Sequence, residues 1–233
     1  MRLFFSQNIT DNRGFLSPED SRHVVKSLRM KAGDEVNITD GKGICYSARI
    51  EDANFRKCTF SIYGSDRIEK NWNFYLHIAI APTKNIDRFE WFLEKATELG
   101  IDEITPILTE NSERKRIKMD RCERILQSAM KQSHKFTLPK INELIAFSDF
   151  IENTSQEVNK FIAHCYDGEK TDIKNIQTPD RLTIVIGPEG DFTQEEVSLA
   201  QNANFTPLSL GRSRLRTETA AVFACNAAHL NAS

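Results

Sequence analysis

Two stretches in the C-terminal quarter carry residue types and spacings suited to ligand chemistry. In the first, Ile186-Gly187-Pro188-Glu189-Gly190-Asp191-Phe192-Thr193, two glycines flank Pro-Glu between an apolar run and a helix start. Gly187 and Gly190 are expected to open backbone conformations closed to other residues and to let a ligand approach closely. Glu189, pinned in such a turn, can accept hydrogen bonds from hydroxyl or amino groups. In the second, Leu210-Gly211-Arg212-Ser213-Arg214-Leu215-Arg216-Thr217, three arginines fall within five residues before an Ala-rich segment. A helix starting there adds free amides and a positive field to the guanidinium groups, which suits a phosphate or a developing oxyanion. Each stretch also has a plainer reading, a strand-to-helix turn and a solvated loop. A third stretch, 112–140, holds nine Lys and Arg against three Asp and Glu, among them Arg114, Arg116, Lys131 and Lys135. It is either a phosphate-neutralising stripe or a solvated helix face.

Several chemistries lack their signatures. No GxGxxG follows the first strand of the α/β part, and there is no GxxxxGK[ST] and no GxSxG. The five cysteines and five histidines form no CxxC, HxxxH or HExxH. The expected chemistry therefore uses no metal and no covalent enzyme intermediate. An odd, widely spaced cysteine set fits a reducing compartment. No run of 18 apolar residues exists, and the first 14 residues have no apolar leader core, so neither membrane nor secretion is expected. The expected location is cytoplasmic.

These loops need elements to hold them. Arg2–Phe5 reads as a strand, and Ser17-Pro18-Glu19-Asp20 opens a helix with Ser17 as N-cap. Glu35–Ile38 and Ile44–Ile50 read as a hairpin through Asp40-Gly41, and Lys57–Tyr63 as a further strand. Gly64–Trp72 is polar and reads as a linker. From about residue 73 strands and helices alternate. Phe74–Ile80, Glu103–Leu108, Phe161–His164, Leu182–Ile186 and Leu208–Leu210 are the strands. Asn85–Leu99, Asp120–Ser133, Phe147–Glu152, Thr193–Gln201 and Thr217–Leu230 are the helices, with Thr193 and Glu196 forming a capping box. This order implies a mainly parallel sheet, behind a small β-rich module.

The strings GPEGDFT (187–193) and LGRSRLRTETAA (210–221) resemble the motifs of the ribosomal RNA small subunit methyltransferase E family. SLRMKAGDEV (27–36), KATELGIDEITPILTE (95–110), Gln132-Ser133 and Pro139 match in order, so the resemblance spans nearly the whole chain. It implies an α/β fold: a PUA-like RNA-binding β-barrel over 1–70, then a SPOUT methyltransferase domain over 73–233 with a parallel sheet and a trefoil knot. It implies methylation of N3 of a uridine in 16S rRNA of the small ribosomal subunit. S-adenosylmethionine is the implied donor, and the implied enzyme is a homodimer with its active site at the interface. Carried over by motif, Ile186, Gly187 and Gly190 on one loop and Leu210, Gly211, Leu215 and Arg216 on the other would hold the donor. Arg216 and Arg214 would stabilise the uridine anion, with Glu189 as a candidate base. Arg13, Arg22, Lys26 and Arg29, with Arg114, Arg116, Lys131 and Lys135, would grip rRNA phosphates.

The chain departs from the family pattern in places. Asp191 stands where a second glycine follows GPEG, Ser213 where an arginine is usual, and Asn111 where TERS has its arginine. Asp191 and Ser213 keep open a catalytically inactive RNA-binding relative; a related SPOUT methyltransferase with another rRNA or tRNA target is the second alternative, since sequence alone does not locate the target nucleotide. The net charge of −2 averages a basic 112–140 and an acidic 141–210, with balances of +6 and −8. A polarised surface is expected, with the basic regions toward RNA.

Overall fold

The computed structural model describes residues 2–154, 156–177 and 180–232. They divide into two compact units. One comprises the chain up to Asn71 together with Gln127–Leu138, the other Trp72–Leu126 and the chain from Pro139 onward.

The first unit is a six-stranded sheet with a short helix. Its elements are β1 (Leu3–Phe5), β2 (Ile9–Thr10), β3 (Arg13–Phe15), α1 (Pro18–Arg22), β4 (Glu35–Thr39), β5 (Ile44–Asp52) and β6 (Thr59–Arg67). The order is β1-β4-β5-β6-β3-β2, parallel only between β1 and β4. Ser17 caps α1 by accepting the Asp20 N–H at 3.1 Å, and the helix widens into a π-turn over His23–Ser27. Phe4, Leu16, Val24, Met30, Ile38, Ile50 and Phe60 form the core. The expected linker begins later than its polarity suggested. Gly64–Arg67 continue β6, because Ile44–Ser47 of β5 need ladder partners and find them there. The turn after β4 also holds the far segment: the Leu138 N–H donates to the Gly41 carbonyl and the Gly43 N–H to the Phe136 carbonyl.

The second unit is α/β. In chain order it has β7 (Tyr75–Ile80), α2 (Ile86–Leu99), β8 (Glu103–Leu108), α3 (Met119–Gln132), β9 (Lys140–Ile141), β10 (Ile145–Ala146) and α4 (Phe147–Asn153). There follow β11 (Lys160–Ala163), β12 (Thr171–Asp172), β13 (Arg181–Ile186), α5 (Gln194–Asn202), β14 (Thr206–Ser209) and α6 (Thr217–Asn231). The strands run β10-β8-β7-β13-β11-β14-β12, with β9 beside β8, and every pairing among them is parallel. Ile78, Ala79, Ile80, Ile184, Val185 and Ile186 are buried on both faces, as a helix-covered parallel sheet requires. Phe147, Phe150, Phe192, Val197 and Phe205 cover one face. Helix α6 packs against α2, β7 and β13. The late strand β13 lies between β7 and β11, so the chain reverses its direction of travel across the sheet there. Ligands bind beyond the carboxyl ends of strands at such a point. No helix among the described residues is long and apolar enough to cross a membrane.

Candidate active site

The carboxyl ends of β13, β11 and β14 and the start of α6 surround one cavity of about 610 Å³. The two glycine- and arginine-rich stretches meet there. Ile186, Gly187, Pro188 and Glu189 form one wall, and Leu210 to Thr217 form another. They are joined directly, since the buried Thr217 Oγ1 donates to the Gly187 carbonyl at 3.0 Å. Of the expected donor-holding residues, Ile186, Gly187, Leu210, Gly211, Leu215 and Arg216 line the cavity. Gly190 faces elsewhere: a Cβ there would lie 3.1 Å from Asn111 Cβ.

The glycines serve differently from the expectation. Neither Gly187 nor Gly190 has positive φ. Gly187 is required by close approach, because a Cβ would stand 2.8 Å from the ring of the fully buried Phe192. The left-handed backbone of this loop falls instead on Asp191, at φ 62°. That conformation explains why a glycine is usual at this position, and aspartate is among the few other residues that tolerate it. Asp191 also uses its carboxylate. Oδ2 accepts the Cys165 N–H at 2.8 Å and Oδ1 the Phe192 N–H at 2.9 Å, which ties the end of β11 to the loop after β13. On the other side, Asn111 Nδ2 donates to the carbonyls of Gly190 (3.3 Å) and Asp191 (3.0 Å). Two of the three departures are thus built into the loop's support.

Downstream, the capping box at α5 is present. Thr193 Oγ1 accepts the Glu196 N–H at 3.2 Å, and Glu196 Oε2 accepts the Thr193 N–H at 2.9 Å. The other Glu196 oxygen accepts the Glu110 N–H at 2.9 Å. Glu189 is exposed, and its Oε1 accepts the Lys84 N–H at 3.0 Å. Arg114 donates through Nε to the Thr83 carbonyl and through Nη2 to the Lys84 carbonyl. This arginine therefore holds the segment that in turn holds Glu189.

Arg212, Arg214 and Arg216 are exposed and make no ion pair among the described residues. Their charge is available to a ligand, which favours the anion-site reading over a loop balanced by counter-ions. Sequence reasoning missed a third wall: Ala163, His164, Cys165 and Lys170, at and beyond the end of β11. The strand-end rule that pointed to β13 and β14 applies equally to β11 and would have found it. Burial, then Lys170, hold the His164 imidazole below its usual range, and Lys170 Nζ donates to the His164 carbonyl at 2.8 Å.

The expected RNA-contacting bases have varied surroundings. Arg22, Arg29 and Arg116 are exposed. Arg13 pairs with Glu51 at 3.4 Å, and Lys131, half-buried, with Asp20 at 2.7 Å. Lys26 lies over the Phe55 ring, and Lys135 is half-buried. Of the basic stretch, Arg114 and Arg116 belong to the second unit, Lys131 and Lys135 to the first.

Residues 70–229 match the RNA methyltransferase domain family and residues 16–63 the RNA methyltransferase PUA domain family. The ribosomal RNA small subunit methyltransferase E of Mesomycoplasma hyopneumoniae is 35% identical over 96% of each chain. The crystal structure of a probable rRNA-methyltransferase from Porphyromonas gingivalis superposes with a TM-score of 0.92 at 41% identity, covering 100% of this chain and 98% of that one. The ribosomal RNA small subunit methyltransferase E of Neisseria gonorrhoeae, bound to S-adenosyl methionine, gives 0.85 at 25% identity over 97% and 96%. The chain belongs to the ribosomal RNA small subunit methyltransferase E family.

Proposed function

We propose that this protein methylates N3 of a uridine in 16S rRNA, with S-adenosylmethionine as methyl donor. The observation that carries the reading is the meeting of the 186–191 and 210–217 loops around one cavity, with three arginines at its rim that make no ion pair among the described residues. The residues present fit the donor. About 610 Å³ lies within the range of cofactor-sized pockets. Gly211, at φ 111°, has nothing within 4 Å of a notional Cβ, so the backbone leaves open space there. Ile186, Gly187, Leu210, Gly211 and Leu215 would hold the donor, with Gly190 shaping the loop from behind.

When bound, S-adenosylmethionine supplies a methyl group on a sulfonium. The chain's task is then positioning and charge. Uridine N3 carries a proton at neutral pH and becomes nucleophilic when that proton leaves. Glu189 takes the proton through Oε2, its Oε1 being held by Lys84. Arg216, with Arg214 behind it, stabilises the negative charge that spreads over O2 and O4. The uridine enters flipped from its helix or from an exposed strand. The 1–70 domain grips surrounding rRNA phosphates and the 73–233 domain does the chemistry. Contacts to phosphates position the substrate without specifying sequence.

The finer organisation of the family belongs to the same reading. The 186–191 and 210–217 loops form a trefoil knot. Two copies pair through α6, whose Phe223 and Leu230 are exposed at 39% and 67%, and complete the site at their interface. The substrate is the assembled small subunit in the cytoplasm. Calorimetry with S-adenosylmethionine tests the foundation: stoichiometric binding is expected. Absence of binding would turn the protein into a non-catalytic RNA-binding relative.

A further inference from the structure

The bases expected to grip rRNA in the first unit, Arg13, Arg22, Lys26, Arg29, Lys131 and Lys135, were read with no aromatic partner. The structure adds one. Asn54-Phe55-Arg56-Lys57 turns the chain between β5 and β6. The Lys57 N–H donates to the Asn54 carbonyl at 3.1 Å, and the Arg56 N–H donates to Asn54 Oδ1 at 2.9 Å. Asn54 thus closes the turn with both its backbone and its side chain, an arrangement that pre-sets the tip. Phe55 stands at that tip, 39% exposed.

A single exposed phenylalanine is ordinary. Its neighbours make this one unusual. Lys26 Nζ lies 5.0 Å and Arg56 Cζ 5.4 Å from the Phe55 ring centroid, and Lys57 Nζ lies 4.2 Å from that of Phe15. Lys26, Arg56 and Lys57 make no ion pair among the described residues. Elsewhere in the same unit Arg13, Arg49, Arg67 and Lys131 are each paired with a carboxylate. Of the nearby acids on β5, Glu51 is taken by Arg13. Asp52 is the remaining carboxylate beside the turn. Two cations that make no ion pair among the described residues therefore lie on the aromatic tip, and a third, Lys57, follows in the same turn and lies over Phe15. Protein-binding aromatic anchors sit among other apolar groups that exclude water. Rings set among cations suit a single-stranded nucleic acid, whose bases stack while its phosphates pair.

We propose that Phe55 is a stacking platform for an unpaired base of the substrate rRNA, with Lys26, Arg56 and Lys57 on the flanking phosphates. The proposal rests on the RNA-methyltransferase reading given above and adds to it a recognition surface in the first unit.

The test uses the full chain and a single-stranded RNA oligonucleotide carrying one 2-aminopurine, whose fluorescence falls on stacking. The parent binds with quenching. Phe55→Ala weakens binding at least about fivefold and loses the quench, with the salt dependence unchanged. Phe55→Trp retains both. Lys26→Ala and Arg56→Ala each reduce the slope of log affinity against log salt by about 0.7. A Phe55→Ala protein within twofold of the parent, or a parent that does not quench the probe, overturns the proposal. So does a defect confined to binding rRNA-free ribosomal proteins, which would make Phe55 a protein contact. Donor calorimetry on the same samples separates two failures. Intact donor binding with RNA affinity indifferent to Phe55 removes only the platform. A parent that binds no donor removes the methyltransferase reading.

Discussion

Asp191 shows how a single position can depart from a family pattern and keep its job. It adopts the left-handed backbone that glycine usually supplies, and its carboxylate ties Cys165 and Phe192 to the loop. Two costs are therefore separable. Asp191→Gly relieves the backbone and loses the tie, whereas Asp191→Ala loses the tie and keeps an unfavourable φ. The alanine variant is expected to be the worse of the two, by about 1 kcal/mol of stability, read from the difference in urea midpoints. Both should weaken donor binding. Arg216→Ala is expected to lower the rate of methyl transfer about a hundredfold or more, the typical loss of one anion-stabilising group. Donor affinity measured in parallel separates that loss from a binding defect. Near-normal turnover with intact donor binding would remove Arg216 from its role. Of the candidate site, the two loops and their arginines were legible as residues because glycine, proline and charge cluster there. The tie from Asp191 to Cys165 was not, since 26 residues separate them and only the β11–β13 pairing brings them together.

At the scale of elements, two buried polar groups hold the second unit's sheet and helices. Lys160, at the start of β11, is 2% exposed. Its Nζ donates to the carbonyls of Thr154 (3.0 Å) and Ala203 (2.7 Å), the C-caps of α4 and α5, and lies 4.8 Å from the Phe205 ring centroid. One cation thus satisfies carbonyls at two negative helix ends. Lys160→Met leaves the Ala203 carbonyl without this donor and the Thr154 carbonyl with the Glu157 N–H, and is expected to cost about 1–3 kcal/mol, measured by urea unfolding. At the opposite end of the sheet from the cavity, Glu103 accepts from Tyr75 (3.0 Å), Lys140 (2.9 Å) and Asn142 (2.7 Å). Burial opposes its ionisation, but the hydrogen bonds from Asn142, Lys140 and Tyr75 and the nearby His77 outweigh it and hold the carboxyl at about 2. A carboxyl depressed on folding stabilises above its unfolded value near 4.5 and loses that contribution as pH falls toward 2. The loss is on the order of 3 kcal/mol. Glu103→Gln should flatten the fall in unfolding free energy between pH 5 and pH 2.5, and an unchanged slope would refute the assignment. Long elements were legible in the sequence through their period and caps. The two-residue strands β2, β9, β10 and β12 were not, because so short a segment has no period. The last six residues of α3, from Gln127 to Gln132, were read as part of the second domain. Nothing in its helical pattern reports that residues from Gln127 group with the first unit.

At the scale of the molecule, near neutrality is no obstacle to an RNA substrate. Basic and acidic segments cancel in the sum, while association responds to local charge. The exposed apolar residues of α6 belong to this scale too. On the proposed pairing of two copies through α6, Phe223→Glu with Leu230→Glu should give a monomer in sedimentation at micromolar concentration where the parent is a dimer, and abolish transfer if the site is shared. A parent already monomeric there would refute the shared site. The reading as a whole is tested most directly by mapping methyl groups on 16S rRNA by mass spectrometry in cells with and without this protein. One uridine N3-methyl should disappear in its absence and return with the wild-type chain but not with Arg216→Ala. An unchanged set of N3-methyluridines in cells lacking the protein would contradict the proposed function.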